Sequence, residues 1–153
     1  MIIFDVEASG LSDASYPIEV AWQDSDDPDS FDSFLITPSE SWKHWDEYAE
    51  QEIHHISRNT LYKEGVSIAD ACTRLNTKLA GKTIYSDAIE YDQRWLLKLF
   101  DEAGMIPKFS IGNIYHVIEE VRLRKFESSI ENEIIVHRAL DDARQIVRLL
   151  FID

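Results

Sequence analysis

Cysteine is nearly missing: Cys72 stands alone in 153 residues. That excludes a disulfide-stapled scaffold and a cysteine-ligated zinc site. Long apolar runs are missing too. Stretches such as Trp95–Phe100, itself broken by Lys98, fall far short of the ~20 residues that span a bilayer. The opening Met1-Ile2-Ile3-Phe4-Asp5 has no basic n-region and no signal-type apolar stretch, so a reducing, cytoplasmic compartment without membrane attachment is the expectation. Positive charge is scarce: 15 Lys+Arg face 29 Asp+Glu, for a formal charge of −14. Such a field repels polyanions at long range and argues against a protein that lives on non-specific duplex binding. The scarcity is lopsided, because residues 1–76 carry 4 basic and 16 acidic groups while residues 77–153 carry 11 and 13. A nucleic acid, if one binds, meets the second half with its backbone.

What remains is ample for a core. Apolar residues make up 44% of the chain and aromatics 11%, and a chain of this length buries roughly 68–70% of its unfolded surface. No repeat or low-complexity tract divides it. The nearest thing to a linker, Asp24–Asp29 with Pro28, reads as a turn between strands, so residues 1–153 are taken as one domain. Strands are predicted at Ile2–Ala8, Ile18–Gln23 and Ser30–Ile36, an antiparallel meander. The period then changes. Helical spacing covers Trp45 to Ile56, and Ile68, Ala71, Leu75 and Leu79 mark a longer helix ending at Gly81. A short strand at Thr83–Tyr85 leads to a helix over 90–103 that stops at Gly104. A strand at Phe109–Ile114, a helix over 117–126 and a final amphipathic helix marked by Leu140, Ala143, Val147, Leu150 and Phe151 complete the order. Strands first, then alternating helix and strand, predict an α/β class with a mixed central sheet flanked by helices.

Three features place carboxylates where they are costly. Asp5 and Glu7 lie two apart on the first strand and share a face, while Phe4 and Val6 fill the other. In a covered central strand, two such charges repel unless a cation sits between them, and an all-oxygen donor set suits Mg²⁺ or Mn²⁺. An edge strand with a wet acidic face explains the dipeptide spacing equally well. Asp92 heads the apolar stripe Trp95, Leu96, Leu99, Ala103, where an ionised carboxylate needs a partner or a metal. The helix dipole, which favours an anion in the first turn, is the plain alternative. His137 and Asp142 are five apart, about 140° round a regular helix. They converge only if His137 precedes the helix and leans over its first turn, and this spacing alone is a weak signal.

Together and in this order, the three features resemble the DEDDh branch of the DnaQ-like 3′→5′ exonucleases. Phe4-Asp5-Val6-Glu7-Ala8-Ser9-Gly10-Leu11 is similar to the family's first motif, Tyr91-Asp92 with the Trp95-Leu96 helix to the second, and His137-Arg138-Ala139-Leu140-Asp141-Asp142-Ala143 to the third in its histidine form. Ile53-His54-His55-Ile56-Ser57 resembles a segment in which the family usually has Gly where His55 stands. One departure is Asp87-Ala88, where the family often has His-Asn.

The resemblance implies a ribonuclease H-like fold and a metal-dependent phosphodiester hydrolase. It would degrade short single-stranded DNA or RNA from the 3′ end to 5′-mononucleotides. Two divalent ions, Mg²⁺ or Mn²⁺, are implied: Asp5, Glu7 and Asp142 would hold the ion that binds the attacking water, Asp5 would bridge to the second, and Asp92 would act largely through a bound water. His137 would be the general base, an imidazole being able to take a proton near neutral pH. Ala8, Leu11 and Ile56 match positions near the terminal base, and Arg138 is a phosphate-facing candidate, as is Arg144. Trp42, Lys43, His44 and Trp45 interleave aromatic and basic groups, with core packing the plainer reading. His54 and His55 lack a carboxylate at metal spacing, and Asp141 reads as an exposed acid. A non-catalytic ribonuclease H-like docking or nucleic-acid-binding module is the alternative. A homodimer or a delivery partner for the substrate stays open.

Overall fold

The computed structural model describes residues 1–152. Three strands form the predicted antiparallel meander: β1 (Ile2–Ala8), β2 (Pro17–Asp24) and β3 (Phe31–Leu35). Two short strands, β4 (Thr83–Ser86) and β5 (Ser110–Asn113), add in parallel on the other side of β1. The order β3-β2-β1-β4-β5 makes β1 the middle strand of a mixed sheet. The class is α/β with helices packed on the sheet, as the strand-then-alternating order predicted.

Alternation along β1 divides the interior. Ile2, Phe4 and Val6 face one core with helices α3 (Ile68–Leu79) and α4 (Ile89–Ala103). Ile3 faces the other with α5 (Glu120–Ile130) and α6 (Ala139–Phe151). On the first side Ala71, Cys72, Leu75 and Leu79 of α3 meet Trp95, Leu96, Leu99 and Phe100 of α4. Each large apolar side chain buried this way contributes about 1.5–3 kcal/mol. Ser67 caps α3 by accepting from Asp70 N–H at 3.1 Å, and α4 ends at Gly104 in the left-handed conformation, φ 64°. On the second side Ala143, Ile146, Val147 and Leu150 lay the apolar stripe of α6 over the sheet.

Two stretches differ from the periodicity. The predicted helix over 45–56 is a short α1 (Glu47–Ala49), capped by Asp46, that widens into a π-type turn at Glu50–His54. His55 then stops it at φ 56°. A further helix, α2 (Arg58–Glu64), follows, capped by Ser57. The helix predicted from 117 starts three residues later, because Asn113 caps a 3₁₀ turn over Ile114–His116 first. Among the described residues no helix is long and apolar enough to cross a membrane.

Candidate active site

The site grows from the carboxyl end of β1. Asp5 and Glu7 share the face of Ile3, toward α6, and the β1/β2 register shifts between Glu7 and Ala8. A bulge at that point re-aims the end of the strand. β4 pairs with β1 only as far as Ile3, opposite Tyr85. The Val6 N–H lies beyond that pairing, and it favours the ionised form of the Asp92 carboxylate. Asp92, in the first turn of α4 and 2% exposed, also accepts from Ser86 Oγ at 2.6 Å.

From the other side comes α6. Asp142 sits in its first turn, and His137, two residues before the helix, holds a left-handed backbone at φ 58°. For a non-glycine residue that conformation costs of order 1–3 kcal/mol and persists only where neighbours enforce it. It turns the imidazole back over the helix start, so that ligating atoms of Glu7, His137 and Asp142 lie within 4.8 Å of one another. Asp5, Asp87 and Asp92 form a second group within the same limit. The five residues singled out in the sequence thus meet in one cleft of about 490 Å³, within the size range of small-ligand sites.

The cleft is electrostatically unbalanced. Burial, then the negative charges of Asp92, Glu7, Asp142 and Asp87, hold Asp5 well above the usual carboxylate range. Burial pushes Glu7 up to about 9, with Asp142 and Glu19 adding to it. Burial also raises Asp92 to about 7 and Asp142 to about 6, against the pull of Ser86 on the first and His137 on the second. Asp5 Oδ2 and Asp142 Oδ1 are fully buried and have no hydrogen-bond partner. Buried acceptors that repel one another and lack donors are what divalent cations satisfy, and carboxylates with one imidazole are a donor set for Mg²⁺ or Mn²⁺. The residues fit such ions.

The flanking candidates divide. Ala8 and Leu11 line the cleft, and Leu11 is 66% exposed at its lip. Ile56 does not line it: the side chain is 4% exposed and belongs to the α3/α4-side core. The left-handed turn at His55 sends Ile56 inward, and Ile53 lines the cleft instead. Arg138 is committed elsewhere, to a bidentate ion pair with Glu19. Arg144 donates to Gln23 and lies over Phe31. Trp42 is buried and stacks on Tyr16, as the plain reading had it, and Trp45 donates to Glu50. His54 is buried, its Nδ1 accepting from Ile56 N–H at 3.0 Å, and burial lowers it to about 4.

Residues unassigned by sequence reasoning also line the cleft, among them Asp87, Tyr48 and Tyr91. Glu19 was missed as well. A carboxylate in the apolar run Pro17–Trp22 was its signal. It faces Glu7 across the β1/β2 pair and accepts Ala139 N–H at 2.8 Å, so it anchors the start of α6.

Solved structures share this architecture. Exonuclease I of E. coli in complex with a dA16 oligonucleotide superposes with a TM-score of 0.75 over 97% of this chain, at 15% identity. The fold is that of exonuclease I. Its zinc-bound complex with single-stranded DNA gives 0.73 over 97% of this chain, also at 15% identity. The moderately thermophilic exonuclease I from Methylocaldum szegediense gives 0.69 over 96%, at 16% identity. The chain spans only 39%, 38% and 40% of those three chains. The mixed five-stranded sheet matches the ribonuclease H-like fold of exonuclease I. No family model matches the chain, and no curated protein matches it either.

Proposed function

We propose that this protein is a divalent-metal-dependent 3′→5′ exonuclease that removes 5′-mononucleotides from single-stranded nucleic acid. The observation that carries the reading is the meeting of Glu7, His137 and Asp142 within 4.8 Å, beside Asp5 and Asp92, with two buried carboxylate oxygens lacking any donor. The likeness to exonuclease I structures holding single-stranded DNA supports the polymer class.

Asp5, Glu7 and Asp142 would hold one ion, and Asp5 with Asp92 the second. When bound, the ions supply charge neutralisation at phosphorus and an acidified water. His137 would accept the proton of the attacking water, and its left-handed backbone sets the ring beside the Glu7 and Asp142 carboxylates. The P–O3′ bond breaks, the new 3′ oxygen gains a proton, and a 5′-mononucleotide leaves. Leu11, and Tyr48 at 68% exposure, offer apolar surface to the terminal bases. With a net charge of −14, short strands or strands delivered by a partner are favoured over long duplex.

The test is a denaturing-gel time course on 5′-labelled single-stranded DNA and RNA oligomers with Mn²⁺ or Mg²⁺, beside Asp142→Ala. A descending ladder from the wild type and none from the variant is expected, with the faster oligomer naming the substrate. Intact metal binding with no cleavage of either oligomer would shift the reading to a docking module.

A further inference from the structure

We infer that Asp87 is a direct ligand of the second cation, so that the free protein holds two divalent ions before any nucleic acid binds. The inference rests on the two-metal reading above and adds a residue to it. Asp87 lies between the end of β4 and the start of α4, one residue after Ser86, whose hydroxyl donates to Asp92. That turn is fixed from both ends. Ala88 N–H donates to the same Ser86 Oγ at 2.9 Å, and Asp92 N–H donates to Ala88 C=O at 3.0 Å. The Asp87 carboxylate is thereby delivered to the cleft wall, with an oxygen within 4.8 Å of oxygens on both Asp5 and Asp92. Trans ligands on a cation at about 2.1 Å lie about 4.2 Å apart, so the three oxygens lie near the span of one coordination shell.

The sign that a ligand belongs in this cluster, beyond the proximity of its acids, is Asp5 Oδ2, fully buried with no donor to satisfy it. The charges acting on Asp5 from Asp92, Glu7, Asp142 and Asp87 are all negative. Three carboxylates, one of them with an unsatisfied oxygen, make a stronger cation site than two. With Asp5 and Asp92 alone, the second ion would depend on the substrate phosphate to complete its shell. Asp87 supplies the missing oxygen from the protein.

The experiment strips the protein with chelator and titrates Mn²⁺ without nucleic acid, following free Mn²⁺ by electron paramagnetic resonance. Wild type is expected to take up two ions. Asp87→Asn should keep one and weaken the other at least tenfold, and Asp87→Ser should repeat that result if the asparagine variant folds poorly. Asp142→Asn should weaken the opposite ion, the one at Glu7 and His137. Two ions held equally by wild type and both Asp87 variants, or a single ion in wild type, would overturn the role of Asp87 alone. No bound Mn²⁺ in wild type would overturn the two-metal reading itself.

Discussion

Arg138 and Glu19 are joined by three hydrogen bonds, Nε to both carboxylate oxygens at 3.0 and 3.1 Å and Nη2 to Oε2 at 2.6 Å, and Glu19 is itself buried. The same carboxylate accepts Ala139 N–H. It therefore grips α6 at the two residues between His137 and the turn that carries Asp142. Removing it leaves a backbone N–H and a guanidinium unpaired, at a cost of about 2–3 kcal/mol. Glu19→Ala should lose that much stability in urea and should weaken Mn²⁺ binding. Glu19→Gln, which keeps the acceptor for Ala139, should recover most of the metal affinity. Unchanged metal binding in Glu19→Ala would show that α6 holds its place without it.

The raised carboxylates make stability depend on pH in an uncommon direction. A carboxyl group whose folded pKa is raised binds more protons folded than unfolded, so stability falls as pH rises toward the folded value. Between pH 6.5 and 9 the groups in play include Asp92, near 7, Glu7, near 9, and Asp5, held well above the usual carboxylate range. His54, lowered to about 4, acts in the opposite direction but only below that window. The melting temperature in chelator should drop from pH 6.5 to pH 9. Added Mg²⁺ or Mn²⁺ should restore it, most at the alkaline end, because metal and proton compete for the same oxygens. A flat profile in chelator would contradict the electrostatics of the cleft.

The two left-handed histidines, His55 and His137, can be tested by substitution. His55 terminates the turn before α2 at φ 56° and its side chain is exposed. His55→Gly should raise stability by about 0.5–1 kcal/mol, since glycine adopts that conformation without the Cβ penalty. His137 holds the same backbone conformation beside the carboxylates. His137→Asn, a residue tolerated there, should leave the melting temperature within a few degrees while lowering turnover about 10²–10⁴-fold. Parallel loss of fold and activity would point to a packing role.

At the lip, Leu11 and Tyr48 project large apolar side chains into solvent. Truncating either to alanine should change stability by no more than about 0.5 kcal/mol. Loss of a stacking or wedging contact should instead raise KM for oligomers, by an amount corresponding to about 1–3 kcal/mol for Tyr48. Equal KM values for both variants and wild type would remove them from the substrate path.

The parts of this arrangement legible in the sequence were those with a strong local signature. Alternation in Ile2–Ala8 marks a strand with two carboxylates on one face, and Asp92 at the head of an apolar stripe marks a buried acid. The convergence of His137 with Asp142 required a backbone reversal, which a five-residue spacing does not reveal. Ile56 was assigned by resemblance alone; the wide turn at Glu50–His54, ended by the left-handed His55, leaves Ile53 on the cleft and Ile56 in the core. Arg138 looked available because its partner Glu19 lies 119 positions away. The short α2 carries too few turns for periodicity to register.

The order β3-β2-β1-β4-β5 draws the cleft from distant parts of the chain: Asp5 and Glu7 from the first strand, Asp92 from the fourth helix, His137 and Asp142 from the last. Contacts of such long sequence separation close late, after the loop entropy of the intervening chain has been overcome. An intermediate holding the sheet with α3 and α4 but lacking a docked α6 would present acids without an imidazole. Hydrolytic competence would then appear in one step with the seating of the last helix, which makes recovery of activity during refolding a direct clock for that docking event.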